Sequence, residues 1–82
     1  MSAPPWNFPL ERQPGDLAAG RSSDGYRWRI WRGETSGRLL ASITPESGPR
    51  TVWGLTRKAS LAEAVTEVQR NMDAHRATGV WP

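Results

Sequence analysis

Residues 26–32 read Tyr-Arg-Trp-Arg-Ile-Trp-Arg, and the predicted sheet is built around this stretch. Tyr26, Trp28 and Ile30 alternate with arginines, which is the period-two pattern of a half-buried β-strand. Aromatic and β-branched side chains also favour extended backbone. The stretch therefore predicts a first strand that presents its apolar residues on one side and its arginines, with Trp31, on the other.

Two turns follow this strand, and they predict a three-stranded antiparallel meander. Gly33 and Gly37 tolerate the positive φ that a hairpin connection needs, and residues 38–44 alternate as the return strand. The turn at 45–49, Pro-Glu-Ser-Gly-Pro, separates it from a third strand over 50–56. Short connections place consecutive strands side by side, so the three strands are expected to pair in chain order.

A C-terminal helix is predicted to begin at Ser60. Ser60 and Glu63 have the spacing of a capping box, in which each side chain binds the other's backbone amide. Gly79 marks the end, because glycine readily adopts the left-handed conformation that terminates helices. Apolar residues recur at steps of four, three and four, and the predicted buried stripe is Leu61, Val65, Val68 and Met72, joined by Ala62 and Ala64.

These elements predict an α+β fold in the order β-β-β-α. A helix with one apolar stripe and a sheet with one apolar face each need a partner, and each can cover the other. The domain is predicted over residues 25–82. Residues 1–24 contain four prolines and no sustained period, so they are predicted to form an extended arm, with one helical turn over residues 16–19.

The side of the sheet away from the helix is then left open. The alternation alone assigns either Leu39 or Leu40, and either Trp53 or Val52, to the covered side. The open side carries two arginines and an indole: Arg27, Arg29 and Trp31.

The composition limits what so small a chain can do. Its 82 residues form at most one domain, and the absence of cysteine excludes disulfides, zinc–thiolate sites and thiol nucleophiles. The first ten residues lack a basic segment followed by an apolar run, so we expect no signal peptide, no membrane anchor and a cytoplasmic protein. The net charge is +3, and ten of the eleven basic residues are arginine, which forks onto phosphate and stacks on aromatic rings.

Residue types that carry catalysis are sparse in this sequence. The one histidine, His75, lies near the predicted helix end, where the helix dipole is expected to hold it at the surface. The carboxylates form no known catalytic or metal-binding motif, and no glycine-rich loop with a lysine is present to bind phosphates. We therefore expect a binding module, not an enzyme, with no cofactor and no metal.

The basic and aromatic open side of the sheet is the positive signal for function. Arg27 and Arg29 are expected about 7 Å apart, close to the spacing of successive phosphates along one strand, and Trp31 can stack or wedge beside them. Four further bases are expected to extend this surface: Arg38, Arg50, Arg57 and Lys58. The last two lie before the helix N-terminus, which itself attracts phosphate. The alternative is that long arginines shield a solvated sheet and that the N-terminal arm covers Trp31.

Three stretches together resemble the AP2-type domain and the related arm-binding domain of tyrosine-family phage integrases: Tyr26-Arg27-Trp28-Arg29, Thr51-Val52-Trp53-Gly54-Leu55 and Ser60-Leu61-Ala62-Glu63-Ala64. The likeness spans residues 25–74. The chain departs from the pattern because no catalytic domain follows the helix and the first hairpin lacks the usual basic run. The resemblance implies a DNA-binding accessory protein, encoded by a phage or plasmid, whose sheet enters the major groove of duplex DNA. It implies groove-facing side chains at Arg27, Arg29, Trp31 and Arg38, with Arg50 beside them.

Five tryptophans in 82 residues favour a second hypothesis, a protein-binding module. Tryptophan and arginine are enriched at interface hot spots, and the terminal segments hold Trp6, Phe8 and Trp81. A strand edge or an extended arm can also pair with another chain. The expected partner is then a host or phage protein, as for a phage-encoded inhibitor or an antitoxin, or a second copy of the chain in a homodimer.

Overall fold

A computed structural model describes residues 15–82 as a four-stranded antiparallel sheet packed on one helix. The elements are β1 (Asp16–Arg21), β2 (Arg27–Arg32), β3 (Leu39–Thr44), β4 (Thr51–Gly54) and α1 (Leu61–Thr78). Neighbouring strands in the chain are neighbours in the sheet, and every pair is antiparallel. The predicted α+β class and the single C-terminal helix are confirmed.

Strand β1 corrects the prediction of a three-stranded sheet. The predicted helical turn over residues 16–19 is wrong, because these residues extend along β2 from Asp16, opposite Trp31, to Arg21, opposite Arg27. The register shifts between Asp16 and Ala18, so a bulge interrupts the alternation that would have revealed the strand. The sheet therefore has four strands where the sequence pattern predicted three, and the added strand, β1, lies at its edge.

Small residues in β1 make room for the indole of Trp28. A Cβ atom on Gly20 would lie 2.7 Å from carbon atoms of the Trp28 ring, so the ring lies directly over the strand. Ala18 packs against the same core. Alanine and glycine have little intrinsic preference for strands. They suit β1 because their small size lets the Trp28 ring and the core pack closely against this strand.

The hydrophobic core lies between the sheet and α1. Its buried side chains are Tyr26, Ile30, Leu39, Ala41, Ile43, Leu55, Ala64, Val68 and Met72. The β3–β4 register places Trp53 opposite Ala41, on the covered side, where the Trp53 indole donates to Glu67 Oε1 at 3.0 Å. The two alternatives left open by the sequence are thus decided in favour of Leu39 and Trp53.

Helix α1 has the predicted ends and a shifted buried stripe. Ser60 Oγ accepts a hydrogen bond from the Glu63 amide, the Glu63 side chain accepts one from the Ser60 amide, and Gly79 ends the helix with φ of 77°. The buried line is Ala64, Val68 and Met72, at steps of four. Leu61 and Val65, predicted within the stripe, are each 38% exposed, because the line of contact with the sheet runs beside them. No helix among residues 15–82 has the length and apolar character needed to cross a membrane.

Candidate nucleic-acid interface

The side of the sheet opposite α1 is here called the open face, and three of the residues selected from the sequence lie on it: Arg27, Arg29 and Trp31. Strand register arranges it in three rows. The rows are Arg21, Arg27 and Thr44; then Ala19, Arg29, Ser42 and Val52; then Asp16, Trp31, Leu40 and Gly54. Arg27, Arg29 and Trp31 therefore share one face, as the alternation predicted. Of the elements within residues 15–82, only α1 packs on the sheet, and it packs on the other side.

The first row forms the basic end of the open face. Arg27 is exposed and stands in register between Arg21 on β1 and Thr44 on β3. Arg50 is exposed, and continuing the β3–β4 register by one residue sets it opposite Thr44. We call Arg21, Arg27 and Arg50 the arginine row. An open cleft of about 420 Å³ lies beside it, lined also by the carboxylate of Glu46 and by hydroxyls of the β1–β2 turn.

The third row forms the aromatic end, and its Asp16 pairs with Arg29 of the second row. Its guanidinium donates to both carboxylate oxygens of Asp16, with Nε–Oδ2 and Nη2–Oδ1 distances of 2.9 Å. The Asp16 side chain has no exposed area, whereas Arg29 is 31% exposed. The guanidinium carbon also lies 5.1 Å from the ring centre of Trp31. Arg29 is thus held in place and its charge is largely matched, so it differs from Arg27 in what it offers a phosphate.

A larger cleft, of about 540 Å³, opens at this aromatic end. Trp31 and Leu40 supply its apolar lining, and Arg29, Arg32 and Glu34 are among the charged groups around it. The β2–β3 hairpin forms one wall, where Arg32 Nη1 donates to the carbonyl of Gly37 at 2.8 Å. We call this space the aromatic cleft.

The remaining predicted bases do not join the arginine row. Arg38 precedes β3 and is exposed, and the exposed pair Arg57 and Lys58 follows β4. The start of β3 and the end of β4 both lie at the end of the sheet where Trp31 is found. Arg38, Arg57 and Lys58 therefore belong to the aromatic end. The structure adds two residues of β1 that sequence reasoning missed, Asp16 and Arg21. Both lie opposite open-face residues of β2, and this position becomes visible only once β1 is known to pair with β2.

The aromatic residues of the alternative hypothesis have a different setting. Trp81 stacks on His75 with ring centroids 3.9 Å apart, and its indole donates to the carbonyl of Pro49 at 3.0 Å. The hydroxyl of Tyr26 and Nδ1 of His75 are 2.6 Å apart. His75, predicted to stand at the surface, is therefore half-buried in an aromatic cluster that closes the helix end on the core. Trp6 and Phe8 lie outside the described residues.

A second acid–base pair lies beside this cluster. Arg76 donates to both oxygens of Asp24 at 2.6 and 3.0 Å, and its guanidinium carbon lies 4.9 Å from the ring centre of Tyr26. The hydrogen bonds from Arg76, followed by that from Ser22, hold the pKa of Asp24 well below its usual value. The same contact with Asp24 raises the pKa of Arg76.

Within residues 15–82, no three histidine, aspartate or glutamate side chains come together as a metal site would require. Comparison of the chain with protein-family models, curated proteins and solved structures finds no match. The resemblance to AP2-type and integrase arm-binding domains thus stays a prediction carried by the residues quoted for it. The fourth strand is a further departure from that three-stranded pattern.

Proposed function

We propose that the protein binds nucleic acid through the open face and acts by binding, not by catalysis. The arginine row is the observation that carries the proposal. Arg27 is exposed at its centre, and in register it faces a second arginine, Arg21, across β1 and β2. The exposed guanidinium of Arg27 can bind oxygens of one phosphate or of two neighbouring ones, and the positive charge of Arg21, on a strand about 4.8 Å away, adds to the attraction.

The distribution of charge along the chain supports this side of the molecule. Residues 15–60, which form the sheet and its connections, carry eight basic and four acidic side chains, whereas α1 carries two basic and three acidic ones. A polyanion is therefore attracted to the sheet and not to the outer side of the helix.

The residues of the open face have different roles in this proposal. Arg27 and Arg50 contact phosphates, since both are exposed. Arg29 stays on Asp16 and supports Trp31. Arg38, Arg57 and Lys58 add to the positive field at the aromatic end without forming part of the row.

The test is an anisotropy titration of labelled oligonucleotides, single-stranded and duplex, at two salt concentrations. Binding should weaken steeply as salt increases, because contacts with phosphates release counterions. Arg27→Gln should weaken binding and reduce the slope of log K against log salt by about one. Arg70→Gln is the matched control, because it removes the same charge from an exposed position on α1; it should bind close to wild-type strength.

Two results would refute the proposal. One is the absence of binding to both probes at low salt. The other is an equal loss of affinity in Arg27→Gln and Arg70→Gln, which would show a general attraction of charge with no role for the open face.

A protein partner is the second candidate, and the outer edge of β4 favours it. Within residues 15–82 no strand pairs with that edge, and Val52 beside it is 47% exposed. An exposed edge can accept a strand from a host or phage protein, or from a second copy of the chain. Light scattering during size-exclusion chromatography tests the second case, and a monomer at high concentration would exclude a homodimer.

A further inference from the structure

We infer that the aromatic cleft takes one unstacked nucleobase, so that the protein prefers single-stranded nucleic acid to duplex. This inference rests on the proposed nucleic-acid binding and names the form of nucleic acid that the same face selects. It departs from the duplex partner that the family resemblance implies.

The lining of the aromatic cleft suits a base. Trp31 and Leu40 offer apolar surface, while Arg29, Arg32 and Glu34 offer hydrogen-bonding groups around it. Its volume of about 540 Å³ lies within the range of small-ligand sites. Every base has a π-face that stacks on an indole, whereas the hydrogen-bonding edge differs between bases, so stacking here tolerates many sequences.

The stacking surface is ordered before any ligand arrives. The carboxylate of Asp16 accepts hydrogen bonds from both Nε and Nη2 of Arg29. These two bonds fix the plane of the guanidinium beside Trp31. Guanidinium groups and indoles both stack on flat rings, and side chains that are already ordered lose less entropy on binding. The Asp16–Arg29 pair therefore contributes to the site by holding Arg29 beside Trp31, even though Arg29 is not available to bind phosphates.

The spacing between the two ends fits a short strand. Arg27 and Trp31 are four residues apart on the same strand, which is about 13 Å. Single-strand binding surfaces of this size class cover roughly 4 to 16 nucleotides, with cations along the backbone and aromatic rings under bases. One strand can thus place phosphates on the arginine row and a base in the aromatic cleft.

A duplex fits the open face less well. Four strands set the outer strand axes about 14 Å apart, whereas the major groove of B-DNA is about 12 Å wide. The bases of a duplex are also stacked on each other, so they present edges to a protein and no free π-face. Stacking on Trp31 requires an unpaired base.

The experiment compares a labelled single-stranded DNA of about 12 nucleotides with the duplex of the same sequence, at low salt. We expect the single strand to bind about tenfold more tightly, the effect of one stacked base. Trp31→Leu, which keeps an apolar side chain but removes the π-face, should abolish most of this preference. Trp31→Phe, which restores a π-face, should retain most of it.

A second variant tests the same surface through the residue beside Trp31. Arg29→Lys keeps the charge and removes the planar guanidinium beside Trp31, and it should lower the single-strand affinity several-fold. Circular dichroism and urea midpoints establish that each variant is folded.

Each outcome has a defined consequence. Equal or tighter binding of the duplex, or equal preference in Trp31→Leu and Trp31→Phe, overturns this inference. If that duplex binding still depends on Arg27, the proposed function stands without it. If neither probe binds, the proposed function fails as well.

Discussion

Two clusters with the same composition, an aspartate, an arginine and an aromatic ring, differ in access to water. The open-face cluster is Asp16, Arg29 and Trp31; the helix-end cluster is Asp24, Arg76 and Tyr26. In both, the arginine binds both carboxylate oxygens and its guanidinium carbon lies about 5 Å from a ring centre. The Asp16 side chain has no exposed area, whereas that of Asp24 is 45% exposed.

The difference shows that contact geometry alone does not set the strength of an ion pair. Water and salt can replace Arg76 at the exposed carboxylate of Asp24, so that pair is screened. Water cannot reach Asp16, so loss of Arg29 would leave a buried charge with a poorer set of partners. The open-face cluster therefore holds β1 against β2, while the helix-end cluster is a weaker tie between the β1–β2 turn and α1.

The largest expected effect is on Asp16. Asp16→Asn should lower the free energy of unfolding by about 2–3 kcal/mol, somewhat below the range for a fully buried pair because Arg29 is 31% exposed. Asp24→Asn makes the same chemical change in the helix-end cluster and should cause a clearly smaller shift. Urea unfolding followed by circular dichroism measures both, and equal shifts would contradict the comparison.

The next effect concerns the shape of the arginine. Arg29→Lys keeps the charge but loses the two-pronged contact with Asp16, and we expect it to cost about 1–2 kcal/mol. Arg76→Lys is the matched change at the exposed cluster, where water can replace the lost hydrogen bond. If Arg76→Lys lowers the urea midpoint as much as Arg29→Lys, burial is not what separates the clusters.

A smaller effect is the dependence of stability on pH at Asp24. Because its pKa is lowered in the folded protein, the pair stabilises the fold above the ordinary aspartate value of about 3.9. That contribution is lost as the pH falls from there through the lowered folded pKa. The difference in unfolding midpoint between wild type and Asp24→Asn should therefore be steady near neutrality and shrink in acid. A difference that grows in acid would have the wrong sign.

The smallest effect is that of salt. Raising the ionic strength to about 1 M shortens the Debye length to about 3 Å and should reduce the effect of Asp24→Asn on stability. The effect of Asp16→Asn should persist, because buried charges are screened much less. The measurement is the urea midpoint of wild type, Asp16→Asn and Asp24→Asn at low and at high salt. An equal decline in the effects of the two substitutions would contradict the expected difference between the clusters.

Much of the fold could be predicted because it depends on local pattern. The capping box at Ser60 and Glu63 and the alternation of residues 26–32 act within a few residues, and both appear in the structure as predicted. Strand β1 could not be predicted in this way. Its Ala-Ala-Gly segment has weak strand preference, a bulge breaks its period, and its place depends on the edge of β2 and the ring of Trp28.

The candidate site also has one feature that local pattern predicts and one that it does not. That Arg27, Arg29 and Trp31 share a face follows from the sequence alone, because successive side chains of a strand point to opposite sides. That Arg29 is matched by a buried carboxylate while Arg27 stands exposed depends on the pairing of β1 with β2, which the sequence pattern does not reveal. The physical reason is that the energy of a charge depends on its distance to other charges and to water, and both are set by which strands meet and not by order along the chain.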